Sequence, residues 1–364
     1  MTLWTSSSGI FARKLQISAC LDKKLNLYTS TDTPLSGDVF VGWGQKANAK
    51  QIKQKAQALG LPYWQLEDGF IGYIGHPARG GKAVSLIADP VGIYYDARQP
   101  SQLEQLIATS CEPQMLARAE RLIGELVRLG ITKYNCYTAD SGLPDTLTAR
   151  LHSDPRPKVL LIDQVAGDLS IPGALASEED FVAMVAAARR NHPDARLLLR
   201  THPDTRLGKK SGVLARLALD DVEVVAEHCH PHALLNSVEA VYTVSSQMGF
   251  EALLLGKAVH CFGMPFYAGW GLTHDSKNLP APSGADRPAP AGGCGADPLP
   301  ALSGPDPGPA LRSGTGARHY CRSAEPSPAL SPPLYGGLLA VEARLYARLL
   351  PAAGRRAALC AQAA

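Results

Sequence analysis

The chain has 364 residues, 45% of them hydrophobic and 19% charged, a composition that suits folded α/β domains and excludes disorder throughout. A formal net charge of +3 is too small to point to nucleic acid, although an excess of Lys and Arg suits an anionic substrate or an acidic lipid surface. The eight cysteines form no CxxC pair, so neither a disulfide framework nor a metal site is indicated, and a reducing cytoplasm fits. No long apolar stretch follows a basic start, and no run of about 18 apolar residues occurs, so neither secretion nor membrane spanning is expected.

In chain order, "DVFVGWG" reads as a strand, "NAKQIKQKAQALG" as a helix and "LPYWQLE" as a second strand. Gly60 ends the helix and Pro62 lies just beyond it, which completes a βαβ pattern. Short strands are expected at "AVSLIAD" and "GIYYD", and helix over residues 102–130. The stretch "ITKYNCYTADSGLPDTLTARLHSDPRP" loses periodicity and gathers Pro, Asp and Ser, which places a domain crossing there. Strands "KVLLID", "ARLLLRTHP", "VEVVAE" and "AVYTVSS" then alternate with helices "SEEDFVAMVAAARRNHP", "GVLARLAL" and "HPHALLNSV". Such alternation predicts parallel sheets covered on both faces. The expectation is two α/β domains, residues 1–140 and 141–276, facing a cleft.

After Asp275 the pattern changes, and residues 276–364 hold half of the 28 prolines. The Pro/Gly/Ala-rich segment has no apolar period, so residues 277–364 are expected to be disordered or read out of frame. Only the stretch from Tyr335 onward has the pattern of an amphipathic helix.

Ligands of open α/β sheets bind beyond the carboxyl ends of the strands, so those junctions are the candidate site. In the second half they read "DQVAGDLS", "RTHPD" and "VSSQMGFE". Ser245 and Ser246 close a buried strand and Gly249 opens a helix, an arrangement that either caps the helix or receives a phosphate. His202 precedes Pro203, which keeps it extended as a candidate acid or phosphate contact, or as a packed residue. His192, also before a proline, reads as ordinary. Glu67 and Asp68 end a first-half strand, while Asp163 and Asp168 lie in a second-half loop across the cleft. Carboxylates on both sides of one cleft are what glycosyl transfer requires, and surface acids would give the same letters.

Taken in order, "WGQKANAKQIKQKAQALGLPYWQLEDGFIG", "GIYYD", "TKYN", "IDQVAGDLSI", "THPD" and "VYTVSSQMGFEALLLGKAVHCFGMPFYAGWGLTHD" resemble capsular polysaccharide synthesis and export proteins of the KpsC/LipB type. The similarity covers roughly residues 1–276. It implies a GT-B-like fold of two Rossmann-type domains and a retaining β-Kdo glycosyltransferase. Such an enzyme would take Kdo from CMP-Kdo to build an oligo-Kdo linker on a phosphatidylglycerol-type lipid at the inner face of the cytoplasmic membrane. No cofactor or metal is implied beyond that donor. Partners would be CMP-Kdo, the glycolipid acceptor and the capsule export machinery, with no nucleic acid.

Carried onto this chain, the resemblance implies Asp168 as nucleophile with Asp163 as the second choice, and Glu67 as acid/base. His202 would stand beside the leaving group, and Gln164, Ser245, Ser246, Gln247, Gly249 and Glu251 would hold the donor. Lys133, Arg200 and Lys257 are candidate contacts to a carboxylate or phosphate. "FGMPFYAGWG", with Tyr267 and Trp270, would form or brace the donor pocket. Two departures stand out. Similar sequences commonly follow EDGF with a hydrophobic residue and Arg; here Gly72 would leave a basic contact missing. Relatives commonly carry two modules in tandem, whereas this chain has one, and the resemblance ends just after Asp275. The competing expectations are a non-catalytic module that binds lipid-linked polysaccharide for export, and an inactive remnant.

Overall fold

A computed structural model describes residues 1–278 except 77–79, 110–111, 138–140, 202–204, 206–210 and 218. The tail expectations therefore lie outside the described residues, as does His202. The N-terminal strands are β1 Leu3–Thr5, β2 Leu25–Leu27, β3 Val39–Trp43, β4 Tyr63–Asp68, β5 Tyr73–Ile74, β6 Lys82–Ala83 and β7 Leu86–Asp89, and β8 Tyr134–Asn135 follows two helices later. Five of them form a sheet in the order β2-β1-β3-β4-β7, parallel except for the β4/β7 pair. Ile52 and Ala56, on the helix Ala47–Ala58, pack with Val39, Val41 and Leu66 of this sheet. Strands β6, β5 and β8 make a small separate sheet beside the cleft.

The C-terminal strands are β9 Lys158–Ile162, β10 Arg196–Arg200, β11 Val222–Val225, β12 Ala240–Thr243, β13 Ala258–Cys261 and β14 His274–Asp275. All pair in parallel in the order β11-β10-β9-β12-β13-β14, the doubly wound order with its reversal between β9 and β12. Alternate residues serve opposite faces, so each strand reads as an unbroken apolar run. Leu160, Leu198 and Val241 pack against Leu147, Leu151, Leu234 and Leu235, whereas Val159, Leu161 and Leu197 pack against Phe181, Met184 and Val185. The helix Glu178–Asn191 starts at a capping box, in which Ser177 and Asp180 satisfy each other's backbone amides.

Two expected elements take other forms. "GIYYD" is a loop because the Asp89 carboxylate gathers the amides of Val91 at 2.8 Å, Gly92 at 2.9 Å and Gln102 at 2.9 Å, closing residues 90–102 on themselves. "GVLARLAL" supplies only a single 3-10 turn, Leu214–Arg216, because the Asp163 carboxylate holds the amides of Leu214 and Ala215. The helix Gln102–Ala108 sends Leu103 and Ile107 into the core of the second sheet. Apolar packing thus ties the second layer back through Ala97 to Phe70.

Leu160 is fully buried on the central strand, and Val224, on an edge strand, is 51% exposed. Leu160→Ala is expected to lower unfolding free energy by about 2–5 kcal/mol, and Val224→Ala to stay within about 0.5 kcal/mol. Urea denaturation of the two variants, at equal m-value, measures the difference.

Candidate active site

The carboxyl ends of the strands in both large sheets open onto one cavity of about 560 Å³. Gly44, Gln45, Glu67 and Asp68 line it from the first sheet, and Asp163, Gln164, Asp168, Arg200, Ser245 and Ser246 from the second. This is the switch point between β9 and β12, where two loops diverge and leave room for a ligand.

Glu67 is the penultimate residue of β4, and its Oε1 accepts from Trp43 Nε1 at 3.0 Å and from the Asp68 amide at 3.1 Å. Burial pushes its pKa up, against the pull of the Asp68 amide and the charge of Lys133. Such a carboxyl is suited to exchanging a proton. Asp68 is committed to Arg13, 2.9 Å away, and to the Tyr73 hydroxyl at 2.9 Å, while the Arg13 guanidinium lies over the Trp43 ring. Basic charge thus reaches the end of β4 through Arg13 and Lys133, although position 72 is glycine.

Across the cavity, Asp168 is half-buried, and its Oδ1 accepts from the Ser170 amide at 2.9 Å, while Oδ2 has no hydrogen-bond partner among the described residues. Asp163 is placed differently. It is 2% exposed, and its carboxylate accepts from the amides of Gln164, Leu214 and Ala215, so it fixes the loop that meets residues 212–215. Gly212 presses against that carboxylate so closely that no Cβ fits. Gln164 joins the two switch-point loops: its Oε1 accepts from the Ser245 amide at 2.8 Å, and its Nε2 donates to Ser245 Oγ at 2.9 Å.

Ser246 is the N-cap of the helix Gln247–Leu254, its hydroxyl accepting from the Met248 amide. It also lines the cavity, so the cap and a ligand-facing hydroxyl coincide there. Gln247 reaches the other half of the molecule, donating to the Phe70 carbonyl at 2.8 Å. Gly249 stands outside the lining; it lets Tyr267 approach so that its hydroxyl donates to the Ser246 carbonyl at 2.6 Å.

Lys133 lines the cavity, and its backbone N–H donates to Glu251 Oε1 at 3.0 Å. Burial opposes the lysine's charge, but the surrounding anionic groups, Glu67 and Asp68 among them, hold its pKa above the ordinary range. Burial also raises Glu251, to about 7, against that same Lys133 amide and charge. Arg200 is buried at the cavity floor, where Nη1 donates to the carbonyls of Val225 and Glu227. Lys257 precedes β13 at the amino end of the strands, opposite the carboxyl ends that line the cavity, its amine on the Val238 and Asn236 carbonyls. It is not brought to the site. Sequence reasoning missed Gln45 and Tyr95 as cavity residues; the signal for Tyr95 was present in "GIYYD", which was read as a strand. Among the described residues no group of three or more His, Cys, Asp or Glu side chains is arranged to hold a metal ion, and no helix is long and apolar enough to cross a membrane.

The model of the family described as capsule polysaccharide biosynthesis protein matches residues 38–128 and 117–290. The chain belongs to that family. The match runs past Asp275, where the resemblance read from the sequence ends. This family member is 39% identical over 241 residues to the capsule polysaccharide modification protein LipA of Neisseria meningitidis serogroup B (65% of this chain, 34% of LipA). It is 34% identical over 245 residues to the lipopolysaccharide-processing protein LpsZ of Rhizobium meliloti (66% of this chain, 54% of LpsZ). The chain therefore spans about a third of LipA's length and about half of LpsZ's. A solved structure of Thermosulfurimonas dismutans KpsC, described as a β-Kdo 2,4 transferase, superposes with TM-score 0.70 at 40% identity, covering 77% of this chain and 85% of that one. The KpsC β-Kdo 2,7 transferase superposes with TM-score 0.53 at 26% identity, covering 79% of this chain and 86% of that one. The fold of this family member is GT-B-like, with two parallel sheets facing a cleft.

The raised pKa of Glu251 has a definite sign. Its folded value, about 7, exceeds the ordinary 4.5, so its contribution to stability is complete below the ordinary value and is lost as pH rises through about 7. Glu251→Gln, whose amide oxygen can still accept from Lys133, is expected to match the parent near pH ~4 and to exceed it by on the order of 1–3 kcal/mol near pH ~8. Thermal unfolding at the two pH values checks this, and a difference independent of pH would contradict it.

Proposed function

We propose that the protein is a retaining β-Kdo glycosyltransferase of capsule biosynthesis, taking Kdo from CMP-Kdo to a lipid-linked Kdo acceptor. The observation that carries this reading is the pair of carboxylates, Glu67 and Asp168, lining one cavity from opposite sheets. Similarity to a structure described as a β-Kdo 2,4 transferase supports the choice of sugar.

Asp168 is the nucleophile, because Asp163 is consumed by backbone amides while Asp168 keeps one carboxylate oxygen open. It attacks the anomeric carbon as the bond to the phosphate oxygen breaks, and CMP leaves with the electron pair. The product of this half is a glycosyl ester of Asp168. The acceptor hydroxyl then attacks the same carbon, its proton passes to Glu67, and the ester bond returns its pair to Asp168. Two inversions give net retention.

Ser245, Ser246 and Gln247 hold the leaving phosphate at the helix N-terminus, and Arg200 with Lys133 supplies positive charge for the sugar carboxylate and phosphate. His202 completes the leaving-group site in this reading, and Glu251 acts by holding the Lys133 loop. The acceptor lipid brings the protein to the cytoplasmic face of the membrane as a peripheral enzyme working with the export machinery. No cofactor is needed beyond the donor.

The test is incubation of the purified protein with CMP-Kdo generated in situ and a synthetic Kdo-primed lipid, read by mass spectrometry. One Kdo is expected to be added by the parent. Asp168→Ala is expected to lose at least about 10³-fold in rate and to keep its melting temperature. Glu67→Gln is expected to accumulate Kdo on the peptide that contains Asp168. A folded protein that adds nothing and forms no adduct would favour a polysaccharide-binding role in export.

A further inference from the structure

The loop Gly92–Arg98, "GIYYDAR", belongs to no helix or strand, yet it is fastened to both walls of the cavity. Its backbone is held by the C-terminal half. The Ala97 amide donates to the Gly173 carbonyl at 2.8 Å, and a Cβ at Gly173 would stand 2.5 Å from the Tyr95 carbonyl oxygen. Three of its polar side chains are held by one residue of the N-terminal half. Gln45 donates its amide to Tyr95 Oη at 3.1 Å, gives Nε2 to Asp96, and accepts from Arg98 at 3.0 Å through Oε1.

Accepting from Gln45 leaves the Tyr95 phenol its own proton to give. What it faces is set by Gly44, whose φ is +51°. A Cβ at Gly44 would lie 2.6 Å from Tyr95 Oη and 3.0 Å from Glu67 Oε2, so the two oxygens stand close together beside a residue with no side chain to part them, and both residues line the cavity. Glu67 Oε1 is already taken by Trp43 and Asp68, while Oε2 has no hydrogen-bond partner among the described residues. Tyr95 also stands within electrostatic reach of Asp168.

We propose that Tyr95 is the acceptor-positioning residue: its phenol donates to the acceptor hydroxyl oxygen and aims that hydroxyl's proton at Glu67 Oε2. This rests on the transferase reading above. The bookkeeping closes without a further reagent. The acceptor oxygen keeps one lone pair for the Tyr95 hydrogen bond and uses the other to bond the anomeric carbon, its proton goes to Glu67, and the pair of the breaking ester bond returns to Asp168. A water in the acceptor's place would accept from Tyr95 and donate to the Glu67 carboxylate, which is how the phenol reaches that carboxylate when no acceptor is bound.

Tyr95→Phe keeps the ring and removes only the donor. With the parent active, the variant is expected to raise the acceptor KM roughly tenfold, while the rate of forming the Asp168 adduct from CMP-Kdo stays within about twofold. Equal losses in adduct formation and transfer would overturn the assignment. A second readout needs no activity: titration of the Glu67 carboxyl carbon by NMR, its signal assigned by disappearance in Glu67→Gln. The charged groups that face Glu67 are Asp68, Lys133 and, past Tyr95, Asp168, with the phenols of Tyr94 and Tyr95; the variant leaves all of them but Tyr95 in place. Removal of a donor to the carboxylate is expected to raise the Glu67 pKa by roughly half a unit or more. Superimposable titrations would overturn the proposal even for a protein that transfers no Kdo, and a parent that transfers no Kdo while the titration shifts would instead overturn the transferase reading.

Discussion

Burial of one aromatic ring, Phe70, holds the two halves in register. It follows the Glu67-Asp68-Gly69 turn of the N-terminal half, yet its side chain lies in the core of the second sheet, with ring centroids 5.0 Å from Tyr94 and 5.1 Å from Phe266. Removing such a ring from water contributes about 1.5–3 kcal/mol, and each well-formed aromatic pair adds about 0.5–1.5 kcal/mol. Gln247 Nε2 bonds the Phe70 carbonyl, so the residue that follows the Ser246 cap also holds the turn that presents Glu67. The glycine before Phe70 is required by packing: a Cβ at Gly69 would collide with Ser85. Position and packing are coupled here, because a shift of this ring displaces the Glu67 side chain.

The second sheet explains why the remaining groups meet where they do. In the order β11-β10-β9-β12-β13-β14, the loops after β9 and β12 leave adjacent strands in opposite directions. Gln164 spans that gap with both ends of its amide on Ser245, which makes the loop that carries Asp168 and the serine loop one unit. Asp163 braces the same unit from behind through the amides of Leu214 and Ala215. An acid buried for that purpose costs stability if its amides are lost, since a desolvated carboxylate without donors is expensive. Its position beside the site is therefore explained by architecture.

Much of this was legible in the sequence because buried parallel strands are continuous apolar runs. "KVLLI", "RLLLR" and "AVYT" could hardly be anything else, and the junctions after them carry the polar residues that line the cavity. The short strands β1 and β2, three residues each, carry too little period to register. "GIYYD" has the β-branched and aromatic content of a strand, and only the amide-gathering Asp89 side chain, a tertiary fact, makes it a loop. Composition could not separate Asp163 from Asp168, because the difference lies in partners 51 and 52 residues away. Nor could it show that Glu251 meets Lys133 across 118 residues, or that Lys257 stands at the amino end of a strand, away from the cavity.

What remains is why two carboxylates of similar intrinsic acidity would take different tasks. Asp168 sits half-buried in a turn on the Ser170 amide and lines the cavity, so its carboxylate is accessible to a ligand there. Glu67 is enclosed by Trp43, Gly44 and Tyr95, and burial raises its pKa. A group in that state accepts a proton at modest cost once a neighbouring hydroxyl begins to lose one. Lys133 limits the rise by its charge, and Glu251 fixes Lys133 by its backbone, so the proton affinity of a first-sheet residue depends on a carboxyl from the second. Separation of the halves would remove that control together with the cavity, which ties the proton affinity of Glu67 to the packing of the two sheets against each other.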